Sequence, residues 1–276
     1  MIKKIVILSD NREGNALMRT EHGLSVYLET DKHKFLLDTG ASDAFIKNAS
    51  VLGVKLQDVD YVFISHGHSD HIGGLRYFLD INSKAKVLLS PNIRKAQYFS
   101  KRRFLHSIST PLDYSCYGNR FIEIREETLI DDFVVYGDLR FHFTIPKGNC
   151  NLFVNHGRGL VPDNFEHELV FYVDGLLFTG CAHHGILNIL NSVDRKVDIC
   201  LGGFHLLDPH LNESFESETE LQFIAREMLD NYPDTKFYTG HCTGDNAFET
   251  MHQVNENIMM FRCGMELEFD ENSSDC

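Results

Sequence analysis

Apolar residues fall along this chain in short runs separated by glycines and polar clusters. In the first half they occupy 5–8, 24–29, 34–37, 61–65 and 87–90. In the second half they occupy 139–145, 168–173, 176–179, 197–201 and 236–239. Runs this short, bounded by turn residues, have strand length. Segments at 75–80, 185–191 and 216–231 carry helical spacing instead. Strands with intervening helices in both halves predict an α/β protein, a four-layer αβ/βα sandwich with two sheets face to face and helices outside. No repeat, low-complexity tract or Pro/Gly-rich linker interrupts the pattern, so one domain over 1–276 is expected. The least regular stretch, 91–132, gathers Arg94, Lys95, Lys101, Arg102 and Arg103 beside Tyr98, Phe99 and Phe104. It reads either as a capping insertion that holds a phosphate or a heteroaromatic ring, or as a solvated helix with its aromatics in the core. The polar tail 270–276 is expected to fray.

The chemistry concentrates after the run Tyr61-Val62-Phe63-Ile64, in His66-Gly67-His68-Ser69-Asp70-His71. Ordinary turns favour Gly, Asn, Asp and Ser, not repeated histidine. Three imidazoles and a carboxylate this close repel when protonated and desolvate poorly when neutral, so a bound divalent cation is the economical reason to gather them. His66 and His68 can face one cation and Asp70 and His71 a second, about 3.5–4 Å away, as in two-metal hydrolytic sites. Gly73 and Gly74 then let the chain turn tightly into the helix at 75–80.

With Phe35-Leu36-Leu37-Asp38-Thr39-Gly40 ahead of it, the His-x-His-x-Asp-His motif resembles the metallo-β-lactamase-fold hydrolases, over essentially the whole chain. Glu21-His22-Gly23-Leu24-Ser25, Thr179-Gly180-Cys181-Ala182-His183-His184-Gly185-Ile186, Gly202-Gly203-Phe204-His205-Leu206 and Thr239-Gly240-His241-Cys242-Thr243-Gly244 resemble one branch, the 7,8-dihydropterin-6-methyl-4-(ribofuranosyl)aminobenzene-5'-phosphate synthase homologues. The resemblance implies one or two divalent metal ions, zinc first, with manganese or iron as alternatives. It implies that His183 and His241 join His66, His68, Asp70 and His71 as metal ligands, and that Asp38 supports the metal loop. It makes His205 catalytic or substrate-facing, and the branch name implies pterin and phosphate chemistry. Read alone, Asp38 fits a structural role equally well, and His205 and His241 fit hydrogen-bonded structural histidines better than functional ones.

Many of these hydrolases carry a Gly-Asp pair, with a bridging aspartate, where this chain has Gly180-Cys181. Three outcomes stay open: Cys181 as a thiolate ligand, completion of the site by His183, or a weaker second metal position. His167, just ahead of a strand, is the runner-up to His183, and His184 falls to a supporting role or to solvent. His22 either projects into the cleft or decorates a surface turn.

Composition narrows the function. A net charge of −14 argues against tracking nucleic-acid backbones and favours a small-molecule substrate. No apolar run approaches the roughly 18 residues of a membrane span, and the first residues lack a signal-peptide pattern. Seven scattered cysteines fit a reducing cytoplasm. Nothing here sets the oligomeric state. The expected activity is metal-assisted hydrolysis of a small phosphorylated or pterin-like metabolite, or synthase chemistry of the branch type. Asp70 would accept the proton of the attacking water and His205 would assist the leaving group. A di-iron redox protein and a metabolite-binding protein without turnover are the rival classes.

Overall fold

The computed structural model describes residues 1–102, 104–209 and 214–269. Arg103 and the tail at 270–276 therefore lie outside the described residues. The short apolar runs assemble into two seven-stranded sheets. The first runs, in spatial order, Glu266–Glu268, Ile2–Ser9, Ser25–Thr30, Lys34–Leu37, Tyr61–Phe63, Lys86–Leu89 and Phe121–Glu123. Its first four strands pair antiparallel and its last four parallel, with Leu36 opposite Val62 and Val62 opposite Val87. The second runs Ile258–Met260, Lys236–Thr239, Ile199–Gly202, Leu176–Thr179, Val170–Val173, Phe133–Tyr136 and Thr128–Ile130, parallel over its first four strands and antiparallel over the rest.

Period-two side-chain alternation gives each strand two apolar faces. Phe35 and Leu37 point between the sheets, whereas Leu36 meets Phe45 and Phe78 under the outer helices Ala44–Val51 and Leu75–Ile81. On the other side, Leu177, Cys200 and Phe237 pack beneath Ile186–Ser192, Glu218–Asn231 and Asp245–Val254. Between the sheets Phe35, Phe133 and Phe171 form a triangle with centroids 5.0–5.3 Å apart. Such aromatic pairs contribute about 0.5–1.5 kcal/mol each beyond their buried area. The four-layer sandwich expected from the sequence is the fold observed.

Two expectations need correction. The run 139–145 alternates like a strand but forms none; Phe133–Tyr136 fills that place in the sheet. The amide of Arg140 donates to Ser192 Oγ, and those of His142 and Phe143 donate to Asn188 Oδ1, so helix side chains take the donors a ladder would use. The solvated helix envisaged within 91–132 is also absent among the described residues. Short helical turns at Pro91–Arg94 and Tyr114–Arg120 flank Gln97–Ser100 and His106–Ser107, which join Leu152–Asn155 and Leu160–Pro162 in a four-stranded sheet. This small sheet touches the histidine motif, since the Ser69 amide donates to the Ile108 carbonyl at 2.7 Å.

Candidate metal centre

In both large sheets the parallel strands point their carboxyl ends the same way, and most candidate donors leave from such an end, whereas His22 and His167 lie ahead of the strands Ser25–Thr30 and Val170–Val173. Asp38 follows Lys34–Leu37, the histidine motif follows Tyr61–Phe63, Cys181 and His183 follow Leu176–Thr179, His205 follows Ile199–Gly202, and His241 follows Lys236–Thr239. Four of these turns hold a non-glycine residue in the left-handed region: Asp38 (φ 55°), Ala182 (φ 51°), His205 (φ 52°) and His241 (φ 50°). Such conformations cost on the order of 1–3 kcal/mol each and collect at functional sites.

Two of the resulting donor groups join motif histidines to Cys181. In one, donor atoms of His66, Cys181 and His183 lie within 4.8 Å of one another. The Nε2 atoms of His66, His68 and His183 are buried with no hydrogen-bond partner. The other nitrogens are engaged: Ser65 Oγ lies 2.9 Å from His66 Nδ1, and Asn149 Oδ1 lies 2.9 Å from His183 Nδ1. Burial, together with neighbouring imidazoles, pushes the pKa of His66 and of His183 far down, so both rings are neutral with a lone pair to offer.

The second group is His71, Cys181 and His241, with Asp70 against it. His71 Nε2 lies 3.1 Å from His241 Nε2, 3.2 Å from Cys181 Sγ and 3.8 Å from Asp70 Oδ2. Burial would lower the His71 pKa, but the Asp38 and Asp70 carboxylates override it and raise it to about 9. Burial works against ionising Asp70 as well, yet His71, His22 and His241 hold it well below the usual carboxylate range. His22 stands at the mouth, its side chain 60% exposed and its Nε2 3.3 Å from Asp70 Oδ2.

Asp38 underlies both groups. Its Oδ1 accepts the Ser65 amide at 2.7 Å; its Oδ2 accepts the Ser65 hydroxyl at 2.6 Å and faces His71 Nδ1 at 2.7 Å. Five further polar residues hold the centre and escape a sequence reading. Glu168 accepts the amides of His183 and His184 and faces His184 Nδ1 at 2.6 Å, which gives His184 its place. Asp10 accepts the His241 amide, Asn11 faces His241 Nδ1, and Asn149 holds His183. The fifth is Asp163, 3.1 Å from His167 Nε2 and 3.8 Å from His68 Nε2. His167 Nδ1 accepts the Gly67 amide, so its lone pair is spent within the motif loop and none is left for a cation. The only sequence signal for Glu168 is a charge at the head of an apolar strand; the others have none.

His205 is buried, its ring 4.3 Å from that of His183. Beside it lies a cavity of about 760 Å³, walled by Phe143, Ile145, Ile186, Phe204 and Phe223, with Glu216 and Lys147 in its lining.

The sequence pattern of the Metallo-beta-lactamase superfamily matches residues 18–241. The chain belongs to that superfamily. Among its relatives is the 7,8-dihydropterin-6-methyl-4-(beta-D-ribofuranosyl)-aminobenzene-5'-phosphate synthase of Methanocaldococcus jannaschii, 27% identical over 96% of this chain and 96% of that protein. The crystal structure of Tm1679, described as a metal-dependent hydrolase of the beta-lactamase superfamily, superposes with a TM-score of 0.80 at 29% identity, over 98% of this chain and 100% of that one. Zn(2+)-bound PqqB from Methylobacterium extorquens shares the fold at a TM-score of 0.55 and 14% identity, over 96% of this chain and 100% of that one. As a superfamily member the chain departs from the Gly-Asp pattern at Cys181, and that thiol stands between the two donor groups. No helix among the described residues is long and apolar enough to cross a membrane.

Proposed function

We propose that the chain is a cytoplasmic metal-dependent hydrolase of a small phosphorylated, ring-bearing metabolite. In this reading His66, His68 and His183 hold one cation, Asp70, His71 and His241 hold a second, and the Cys181 thiolate lies between them. The observation that carries it is that the rings of His66, His68 and His183 lie with centroids 4.5–5.0 Å apart and that the buried Nε2 atom of each is without a partner. Unmet buried acceptors cost about 1–3 kcal/mol each, and a cation would satisfy all three. Imidazole, carboxylate and thiolate donors together suit zinc, with manganese and iron less well matched to the sulfur.

Bound there, a divalent ion supplies a water acidified toward neutrality and a Lewis acid for the substrate oxygen. Asp70, held ionised by three histidines, orients that water and receives its hydrogen bond. His22, raised in pKa chiefly by its hydrogen bond to Asp70, is the accessible imidazole at the mouth and would donate to the leaving oxygen. This moves the leaving-group role from the buried His205 to the accessible imidazole. The cavity beside the loop 183–187 has the size and apolar walls to take a flat ring. Arg102, close enough to His22 to oppose its protonation, places positive charge where a phosphate would enter. That nearby charge supports reading 91–132 as a cap on a single functional domain. The printed name of the jannaschii synthase, with its pterin, aminobenzene and phosphate, is in keeping with such a substrate.

The test is elemental analysis of protein purified without chelator, with hydrolysis of bis(p-nitrophenyl) phosphate followed in parallel. At least two zinc or manganese ions per chain, with an ion and turnover lost in His68→Ala, is the expected result. Full metal content in His68→Ala overturns the ligand assignment, and iron as the only ion shifts the reading to redox chemistry.

A further inference from the structure

Beside the histidine centre, the Sγ atoms of Cys181 and Cys242 and a ring nitrogen of His205 lie within 4.8 Å of one another. All three residues are buried, at 3%, 5% and 4% exposure. Both ring nitrogens of His205 are without a hydrogen-bond partner. A neutral imidazole carries one N–H and one lone pair, so both halves of its polarity are unmet in a dry interior, and each such group costs about 1–3 kcal/mol. The same signature marks His66, His68 and His183. Cys242 Sγ donates to the Cys181 carbonyl at 3.8 Å, long even for a thiol, and faces the side chains of Cys181 and His205.

The backbone is shaped to bring these groups together. A Cβ on Gly203 would collide with Cys242 Sγ, so glycine there lets the thiol pass over the end of the strand Ile199–Gly202 and approach Cys181. The turns that supply the donors are the ones with left-handed Ala182, His205 and His241. The His183 ring, packed against that of His205, fixes its plane.

We propose that Cys181, Cys242 and His205 form a further, thiolate-rich cation position that takes a thiophilic ion such as zinc or cadmium, next to the histidine centre and sharing Cys181 with it. Two sulfurs and one imidazole are a soft donor set, distinct from the imidazole and carboxylate donors at the mouth, and Cys2His is a known tetrahedral zinc set with one position left open. Binding replaces the two thiol protons, which leave to solvent, and no electron is transferred. The inference rests on the reading above only through the shared Cys181 and does not require hydrolysis.

The experiment titrates the full-length protein, metal-stripped under reducing conditions, with cadmium and separately with cobalt(II). Bound equivalents are counted and thiolate-to-metal charge-transfer absorption is recorded for wild type, Cys242→Ser and His68→Ala. Cys242→Ser should lose one cadmium equivalent and the part of the band that Cys181 alone does not supply. His68→Ala should lose an ion while keeping the full band. The same stoichiometry and band in Cys242→Ser and wild type overturn the proposal and leave the histidine centre standing; no ion lost in His68→Ala has the reverse meaning. Should Cys242→Ser fail to fold, His205→Gln gives the second route, with the same loss expected and an unchanged count overturning the proposal. A Cys181–Cys242 disulfide in protein kept under reductant would overturn it as well.

Discussion

Asp38 Oδ2 lies 2.7 Å from His71 Nδ1 and 2.6 Å from the Ser65 hydroxyl, so one buried carboxylate sets the ring that faces Asp70 and, through Ser65, the ring of His66. Partners of this kind fix tautomer and orientation, and their loss costs about 10–100-fold in metal affinity. Asp38→Asn, close in shape but uncharged, should weaken zinc binding within that range. Competition against a chromogenic chelator measures it, and an unchanged Kd would remove Asp38 from the support of the centre.

The raised pKa of His71 makes metal uptake at that position depend on pH. Below about 9 the ring of the metal-free protein carries a proton that a cation must displace, so affinity should rise with pH by up to about tenfold per unit until about 9. His66 and His183, shifted far down, should add no such dependence near neutrality. Calorimetry in buffers of different ionisation enthalpy counts the protons released; a count at pH 7 no greater than the bound thiols supply would contradict this. The stability linkage has the matching sign. In the metal-free protein, His71 stabilises the fold fully below its unfolded value near 6.5, and that contribution is lost as pH rises through about 9.

Cys181 stands between the two donor groups, where a smaller side chain would leave a gap. Cys181→Ala should lose at least one bound ion, whereas Cys181→Asp, which restores the Gly-Asp pattern, should keep the ions of the histidine centre. Metal content per chain decides, and equal loss in the two variants would show that the position needs sulfur specifically.

Glu168 accepts three N–H groups in the turn that carries His183. Glu168→Gln can accept with one oxygen only and sets an amide against those donors. It should destabilise by about 2–4 kcal/mol, since bonds to a charged group contribute about 1.5–3 kcal/mol each and only some are lost. At about 2–4 °C per kcal/mol for a chain of this size class, a fall in Tm of roughly 5–15 °C is expected. Scanning calorimetry of metal-free protein checks it without interference from bound ions.

The layered fold and the motif loop were legible because their signals are local. The strands Lys34–Leu37, Leu176–Thr179 and Lys236–Thr239 match their apolar runs end for end, and His66 to His71 declare themselves within six residues. What the sequence concealed depends on partners far along the chain. The alternation at 139–145 mimics a strand, and only the distant Asn188 and Ser192 reveal where its amides go. Asp10 and Asn11 meet His241 across more than two hundred residues, and nothing near either one announces that contact.

The donors for a cation come from both sheets, His66 and Asp70 from one and His183 and His241 from the other. An ion gripped by both halves would act as a rivet through the sandwich, closing a long loop of chain much as a covalent crosslink does, with a larger entropic effect on the unfolded state the longer the loop. The sheets would then be unable to part while it is held. Mechanical extension or partial proteolysis should therefore meet one barrier in the loaded protein and two weaker ones in the stripped form.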